Sequence, residues 1–214
     1  MYHKQKKDYA QIIIDQCREI NIDLEVNIAK KLEADVKLIN RWNRTYNLTA
    51  VKDLNSLINK HIVDSLTVLS YLKDNSLILD VGTGAGLPGV PLAIVNPSLK
   101  IHLLDCNGKK ICFLRQAIAD LGLNNVEINN TRLEDYKPTK NYDFIVTRAF
   151  ASLAVFYDGV KHIMSDNTQL IAMKGSYPAA ELDEVNIQCR IDKKDLPGDF
   201  AVQRHIVLMS GLES

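Results

Sequence analysis

The sequence has no excess of charge of either sign: 26 Lys and Arg balance 26 Asp and Glu, and the isoelectric point is about 7.0. No bulk positive field is available to attract a polyanion, so any nucleic-acid contact must come from a local basic patch. Cysteine is scarce. Cys17, Cys106, Cys112 and Cys189 form no CxxC motif and stand near no paired histidines, which suggests neither a metal site nor a disulfide framework. A reduced, cytoplasmic chain is expected. Aromatic residues make up only 7%, and 10 Gly with 6 Pro exclude a collagenous or low-complexity chain. Long apolar runs are also missing. Behind the basic start Met1 to Lys7 lies only Ile12 to Ile14 before Asp15, too short for a signal-peptide core. Residues 81–99 carry no charge, but Gly82, Gly84, Gly86, Pro88, Gly89, Pro91 and Pro97 would break a spanning helix there. A loop and a short helix are expected instead, with no membrane partner. What is present is 214 residues, 46% hydrophobic and 24% charged, the composition of one globular domain with an extension.

The pattern changes character near residue 76. Before it the periodicity is helical: Leu24, Ile28, Leu32, Val36 and Ile39 recur at three to four residues, with Asp23 placed to cap the start. Ile62, Leu66 and Leu69 mark a later helix. After it, short apolar runs at Leu77–Val81, Lys100–Asp105, Val126–Ile128, Phe144–Thr147, Gln169–Met173, Val185–Cys189 and Ile206–Met209 predict strands. A helix over Lys109–Leu121, stopped by Gly122, lies between the second and third. Such alternation predicts an α/β chain with a doubly wound parallel sheet, whose ligands bind at the carboxyl ends of the strands. Residues 1–75 are then a helical extension packed on a core domain of residues 76–214, with the polar segment Arg41 to Lys52 free to meet substrate.

The sharpest feature is the run from Leu77 to Gly89, an apolar strand leading into Gly82-Thr83-Gly84-Ala85-Gly86-Leu87-Pro88-Gly89 and then a helix. Glycine has no Cβ, so the backbone can take positive φ and approach a ligand closely, leaving amides to face it. Gly84, Gly86 and Gly89 fit G-x-G-x-x-G, a pattern shared by dinucleotide-binding and methyl-donor-binding enzymes. Asp105 ends the second strand 19 residues beyond Gly86, where a carboxylate can accept both hydroxyls of a ribose; the alternative is a helix cap before Lys109. Thr131 to Asp135, after the third strand, offers an apolar and an acidic residue to flank an adenine, or else a solvated turn.

Arg41, Arg44, Lys52 and Lys60 interleave with Trp42 and Tyr46, which would let one cluster combine phosphate contacts with base stacking, unless Trp42 belongs to the core. Lys174 is either a phosphate or base contact or a salt-bridge partner. His61 with Asp64 is either a catalytic pair or a local hydrogen bond on a helix, the latter being the commoner use of that spacing.

Four segments in order, Trp42-Asn43-Arg44-Thr45-Tyr46-Asn47-Leu48-Thr49, His61-Ile62-Val63-Asp64-Ser65-Leu66, the Asp80 to Gly89 loop with its Leu-Pro-Gly, and Arg148-Ala149-Phe150-Ala151, resemble the bacterial 16S rRNA guanine-N7 methyltransferase family, also called glucose-inhibited division protein B. The likeness runs from about Trp42 to Gly175, with a weaker tail at Gln203-Arg204-His205. It implies a seven-stranded, Rossmann-like S-adenosyl-L-methionine-dependent methyltransferase acting on a guanine of the 530 loop, with small-subunit ribosomal RNA or a ribosomal particle as partner and a monomeric enzyme. By the resemblance Gly82, Leu87, Leu133, Glu134 and Arg148 match cofactor positions; Gly84 and Asp105 join them on geometric grounds. Arg148 would bind the cofactor carboxylate or guanine O6 and N7. Arg41, Arg44, Lys174 and Arg204 are candidate RNA contacts.

Guanine N7 carries a lone pair and no proton, so direct displacement needs no general base, only in-line geometry. Two other acceptors fit poorly. Amino-group methylation often uses a Pro-Pro-aromatic loop where this chain has Thr147-Arg148-Ala149-Phe150, and C5 methylation needs a cysteine that commonly follows Pro, as none here does. Two other function classes are an NAD-dependent oxidoreductase, for which little chain remains to build a substrate domain, and a non-catalytic RNA-binding factor, which would not need the glycine loop.

Overall fold

In the computed structural model, residues 8–185, 187–197 and 203–210 are described. The basic start at Met1 to Lys7 lies outside them. Two helices open the chain, α1 (Tyr9–Glu19) and α2 (Val26–Tyr46). Helix α2 does not start where Asp23 would cap it. Its first turn follows Glu25, which makes no side-chain cap, while Asp23 faces Arg18 at 3.6 Å. A continuous helical stretch then runs from α3 (Leu54–Leu57) through a π-helical turn (Ile58–Val63) into α4 (Asp64–Leu66). Ala10, Ile13, Cys17, Leu32, Val36, Ile39, Leu57, Ile62 and Leu66 are buried in one apolar cluster with Ile78, Ile101 and Leu103 of the sheet. Burying those side chains, at about 1.5–3 kcal/mol for each large aliphatic one, is what holds the helices on the sheet.

Seven strands follow: β1 (Leu77–Val81), β2 (Lys100–Leu104), β3 (Val126–Asn129), β4 (Phe144–Arg148), β5 (Gln169–Lys174), β6 (Cys189–Asp195) and β7 (Gln203–Ser210). Between them lie α5 (Gly89–Val95), α6 (Gly108–Leu121), α7 (Leu153–Val160) and α8 (Ala179–Asp183). The sheet order is β3-β2-β1-β4-β5-β7-β6, a mixed α/β sheet. Strands β1 to β5 pair in parallel, but β7 runs antiparallel to both β5 and β6, so the wholly parallel expectation fails at that edge.

The sixth strand is also displaced. The apolar run Val185–Cys189 predicted it, yet pairing begins at Cys189 and runs to Asp195 through Arg190, Asp192, Lys193 and Lys194. This is the outer strand of the sheet, where charged side chains protect unpaired backbone and hide the strand from any apolar-run reading. The chain crosses from β3, on one side of β1, to β4 on the other, which creates a crevice at their carboxyl ends.

Candidate active site

Strand β1 delivers Asp80 into the interior, fully buried. Its Oδ2 accepts the Thr83 hydroxyl at 2.7 Å and the Gly89 amide at 2.8 Å, tying the start of α5 back to the strand. Burial pushes this carboxyl up to about 6. Gly89 packs flat on the sheet: a Cβ there would stand 2.9 Å from Asp80 and collide with Leu103. Its place in the glycine pattern therefore serves helix-to-strand packing.

Most loop amides are not aimed at a ligand. Gly82 and Thr83 donate to the Leu104 carbonyl, Gly86 and Leu87 to the Thr83 carbonyl, and Gly84 to Asp105 Oδ2 at 3.0 Å. The expectation of a row of free amides is corrected accordingly: a turn this tight closes its own hydrogen bonds. What the glycines supply is conformation. Gly82, Gly84 and Gly86 all have positive φ, and a Cβ on Gly82 would run into the Phe150 ring.

A cleft of about 340 Å³ opens at the carboxyl ends of β1, β2 and β4, within the usual range for small-ligand sites. Of the residues expected to bind cofactor, Gly82, Asp105, Leu133 and Glu134 line it together. Leu133 is a buried wall and Glu134 an exposed rim, both set by a 3₁₀ turn over Leu133–Asp135. Gly84, Leu87 and Arg148 are outside the lining: Gly84 faces Asp105 and Leu87 is buried in the core behind the loop. Lys110, Cys106 and Phe150 also line the cleft, and sequence reasoning passed over them as ligand contacts. Lys110 carries a signal that the sequence does show, since it stands five residues beyond Asp105 in the first turn of α6.

Asp105 is a buried carboxylate with three donors: the Gly84 amide, the Asn107 amide at 2.9 Å and Lys110 Nζ at 3.4 Å. A carboxylate has about four acceptor positions, so accepting both hydroxyls of a ribose requires Lys110, the longest contact, to give way. The cap of α6 is Asn107, not Asp105.

Arg148 ends β4 and turns away from the cleft toward the π-helical turn. Its Nη1 lies 3.0 Å from the Lys60 carbonyl, 3.2 Å from His61 Nδ1 and 3.4 Å from Asp64 Oδ2. Asp64 in turn lies 3.3 Å from Arg204 Nε through its other oxygen. Arg204, expected as an RNA contact, is thus held by a buried carboxylate, with Nη1 close against Gly175. His61 and Asp64 make no direct bond. They meet through Arg148, and His61 Nε2 lies 2.6 Å from the Thr49 hydroxyl. Burial and the neighbouring guanidinium lower the imidazole to about 4, so it is neutral at physiological pH with both ring nitrogens engaged. Burial likewise raises the Asp64 carboxyl.

Lys174 takes the salt-bridge alternative. Its Nζ is 2.7 Å from both the Ala151 carbonyl and Glu181 Oε2, and Glu181 also accepts the Leu153 amide at 2.7 Å. That bracket holds the turn after β4, where Ala149 has φ +53° and Phe150 is exposed beside Gly82. The basic and aromatic cluster on α2 divides as well. Trp42 stacks on Tyr46 at 5.1 Å and meets Phe113 of α6 edge-on at 5.7 Å, so it packs against the core. Arg41 and Arg44 are exposed.

Among the described residues no helix is long and apolar enough to cross a membrane, no cluster of His, Cys, Asp or Glu could hold a metal ion, and the four cysteines are free. A family model described as rRNA small subunit methyltransferase G matches residues 28–207. A ribosomal RNA small subunit methyltransferase G of Legionella pneumophila (strain Corby) is 43% identical over 161 residues, 75% of this chain and 77% of its own length. The protein of that name from Histophilus somni (strain 2336) is 42% identical over 190 residues, 87% and 89% of the two chains. Among solved structures, a SAM-dependent methyltransferase from Aquifex aeolicus superposes with a TM-score of 0.55 at 21% identity, over 72% of this chain and 92% of that one. That likeness is one of fold.

Proposed function

This chain belongs to the rRNA small subunit methyltransferase G family, and from that premise we propose that it methylates N7 of a guanine in the 530 loop of 16S ribosomal RNA, with S-adenosyl-L-methionine as donor and no general base. The observation that carries the cofactor assignment is the Gly82 cradle. At φ +68° and without a Cβ, Gly82 lets the Phe150 ring pack against the backbone, and it lines one cleft with the buried Asp105 carboxylate and the Leu133 wall. A nucleoside fits that set: Asp105 for ribose hydroxyls, Leu133 for an adenine face, and the backbone of Gly82 against the rest. Bound there, S-adenosyl-L-methionine supplies a sulfonium methyl group. Arg148 anchors the carboxyl end of β4 to the π-helical turn through the Lys60 carbonyl, His61 and Asp64.

The chain's work on this reading is to hold and orient. Guanine N7 has no proton to remove, and His61, the histidine beside Arg148, is neutral with both nitrogens occupied. The helical segment before residue 76 serves as the substrate-facing cap. Calorimetric titration with S-adenosyl-L-methionine and, separately, NAD tests the cofactor: the first should bind and the second should not. Small ribosomal subunits lacking the modification, incubated with enzyme and then treated with borohydride and aniline, should break at one guanine. Methyl incorporation without strand cleavage would remove N7 and leave the methyltransferase.

A further inference from the structure

A second cavity, of about 410 Å³, opens at the carboxyl end of α2. Asn40, Asn43, Arg44 and Asn47 present one helical face to it at spacings of three and four residues, and Thr49 and Lys52 close it from the following segment. Its lining holds two cations, three carboxamides and a hydroxyl and, among the described residues, no carboxylate. Arg44 and Lys52 are exposed, and neither has an ion-pair or hydrogen-bond partner among the described residues. The nearest carboxylate in sequence, Asp53, is committed to the Ser56 amide at 2.8 Å as the cap of α3. The carboxyl end of α2 contributes only about half a negative charge, which two cations exceed.

The floor of this recess is rigid. Buried Asn43 donates to the Val51 carbonyl at 2.9 Å and accepts the Thr49 amide at 2.9 Å. Thr49 then meets His61 at 2.6 Å, and His61 meets Arg148 at 3.2 Å. One residue, His61, therefore separates the lining of the recess from the guanidinium at the end of β4.

We infer that the recess seats a phosphodiester of the RNA strand, with Arg44 and Lys52 as its charged contacts, and that the Thr49–His61 link fixes this seat relative to Arg148. The inference rests on the RNA substrate proposed above. A chain with no net charge must grip a polyanion through local unpaired cations, and here two of them share a carboxylate-free cavity. Trp42 and Tyr46 stack on each other and toward α6, and among the described residues no aromatic lines the recess, so it grips backbone without stacking a base.

The test measures affinity for a short oligoribonucleotide across a salt series, beside calorimetry with S-adenosyl-L-methionine. Arg44→Ala with Lys52→Ala should lower the slope of log affinity against log salt by about 0.7, the value for one single-strand phosphate contact. Cofactor affinity should stay within about twofold, and Arg44→Lys with Lys52→Arg should keep the wild-type slope. Thr49→Val should keep slope and cofactor affinity while slowing single-turnover methyl transfer to small subunits; an unchanged rate would overturn the link to Arg148. An unchanged slope in the double alanine variant would overturn the seat and leave the methyltransferase reading intact. Calorimetric binding of inorganic phosphate to the wild type that is lost in the double variant, with the oligoribonucleotide slope the same in both, would make this a free-anion site and overturn the RNA assignment. A wild type that binds the cofactor but no RNA would overturn seat and RNA substrate together.

Discussion

Asp64 Oδ2 lies 3.4 Å from Arg148 Nη1, and the same buried carboxylate reaches Arg204 through its other oxygen at 3.3 Å. One acid thereby fastens the helical stretch before the sheet to the ends of β4 and the start of β7. Removing the charge leaves two partly buried guanidiniums facing each other. Breaking a buried pair by losing one partner costs about 3–5 kcal/mol, and the side chains of Arg148 and Arg204, at 18% and 20% exposure, place this site toward the lower end. Asp64→Asn should therefore lower the denaturation midpoint by the equivalent of about 2–3 kcal/mol. Chemical denaturation at pH 7.5 measures it, and wild-type stability would mean that solvent already screens the pair.

At Gly82 the expected effect is steric, and a second substitution can undo part of it. Gly82→Ala places a Cβ where the Phe150 ring lies and holds it at φ +68°, a conformation that costs about 1–2 kcal/mol for a side-chain-bearing residue. S-adenosyl-L-methionine affinity should fall at least about tenfold, the equivalent of about 1.4 kcal/mol. Adding Phe150→Ala removes the collision but not the strain, so calorimetry should find partial recovery. Full recovery would assign the whole effect to Phe150.

Asp105→Ala removes the acceptor of the Gly84 amide, the Asn107 amide and Lys110. Cofactor affinity should fall by about 1.5–3 kcal/mol for each charge-assisted bond lost to the ligand. Lys110→Met should have the opposite sign, because it frees an acceptor position without touching the loop. An equal loss in both variants would show that the pair acts as one unit.

The core of the fold is legible because β1, β4 and β5 are nearly continuous apolar runs and β2 and β3 alternate apolar with polar residues: β1 lies where its run predicts it to the residue, and β2 to β5 to within one residue at each end. The loop at Gly82 was legible because positive φ at a strand end demands glycine. Side-chain partnerships were not. Arg148 and Arg204 look like free cations in sequence and Lys174 leaves a ligand contact and a salt bridge open, and each is held by an acid 7 to 140 residues away that the fold brings near. Charged β6 was misplaced for the complementary reason, since an outer strand has no need of an apolar run.

Asp35 sits on the inner face of α2, fully buried between Leu32, Val36 and Ile39, with neither carboxyl oxygen hydrogen-bonded. Burial raises its pKa from 3.8 to about 7. The folded state then binds more protons than the unfolded one between those values, so this residue's contribution is most favourable below about pH 4 and is lost as pH rises through about 7. Asp35→Asn should leave stability unchanged near pH 4 and increase it by about 1–3 kcal/mol at pH 8. Urea titrations of both proteins at the two pH values measure the difference; a gain confined to low pH would reverse the assignment.

The pH dependence of the reaction separates a base-free displacement from one assisted by His61. The imidazole is lowered to about 4, so its protonation state does not change between about pH 6.5 and 8.5. The Asp80 carboxyl, raised to about 6, completes its ionisation near the lower edge of that window, and it anchors Gly89 and Thr83 rather than any acceptor. Single-turnover methyl transfer to unmodified small subunits should then be flat from about pH 7 to 8.5, because neither His61 nor Asp80 changes its protonation state in that range. His61→Ala should keep this flat shape even if losing the contacts to Thr49 and Arg148 lowers its height, whereas Arg148→Ala should lose most activity. Cys106, exposed at the cleft, supplies the remaining control. A route through a cysteine adduct would end with Cys106→Ser, while direct attack by N7 should survive it. A neutral-pH ionisation that vanishes in His61→Ala would establish that histidine as a base and end the displacement mechanism.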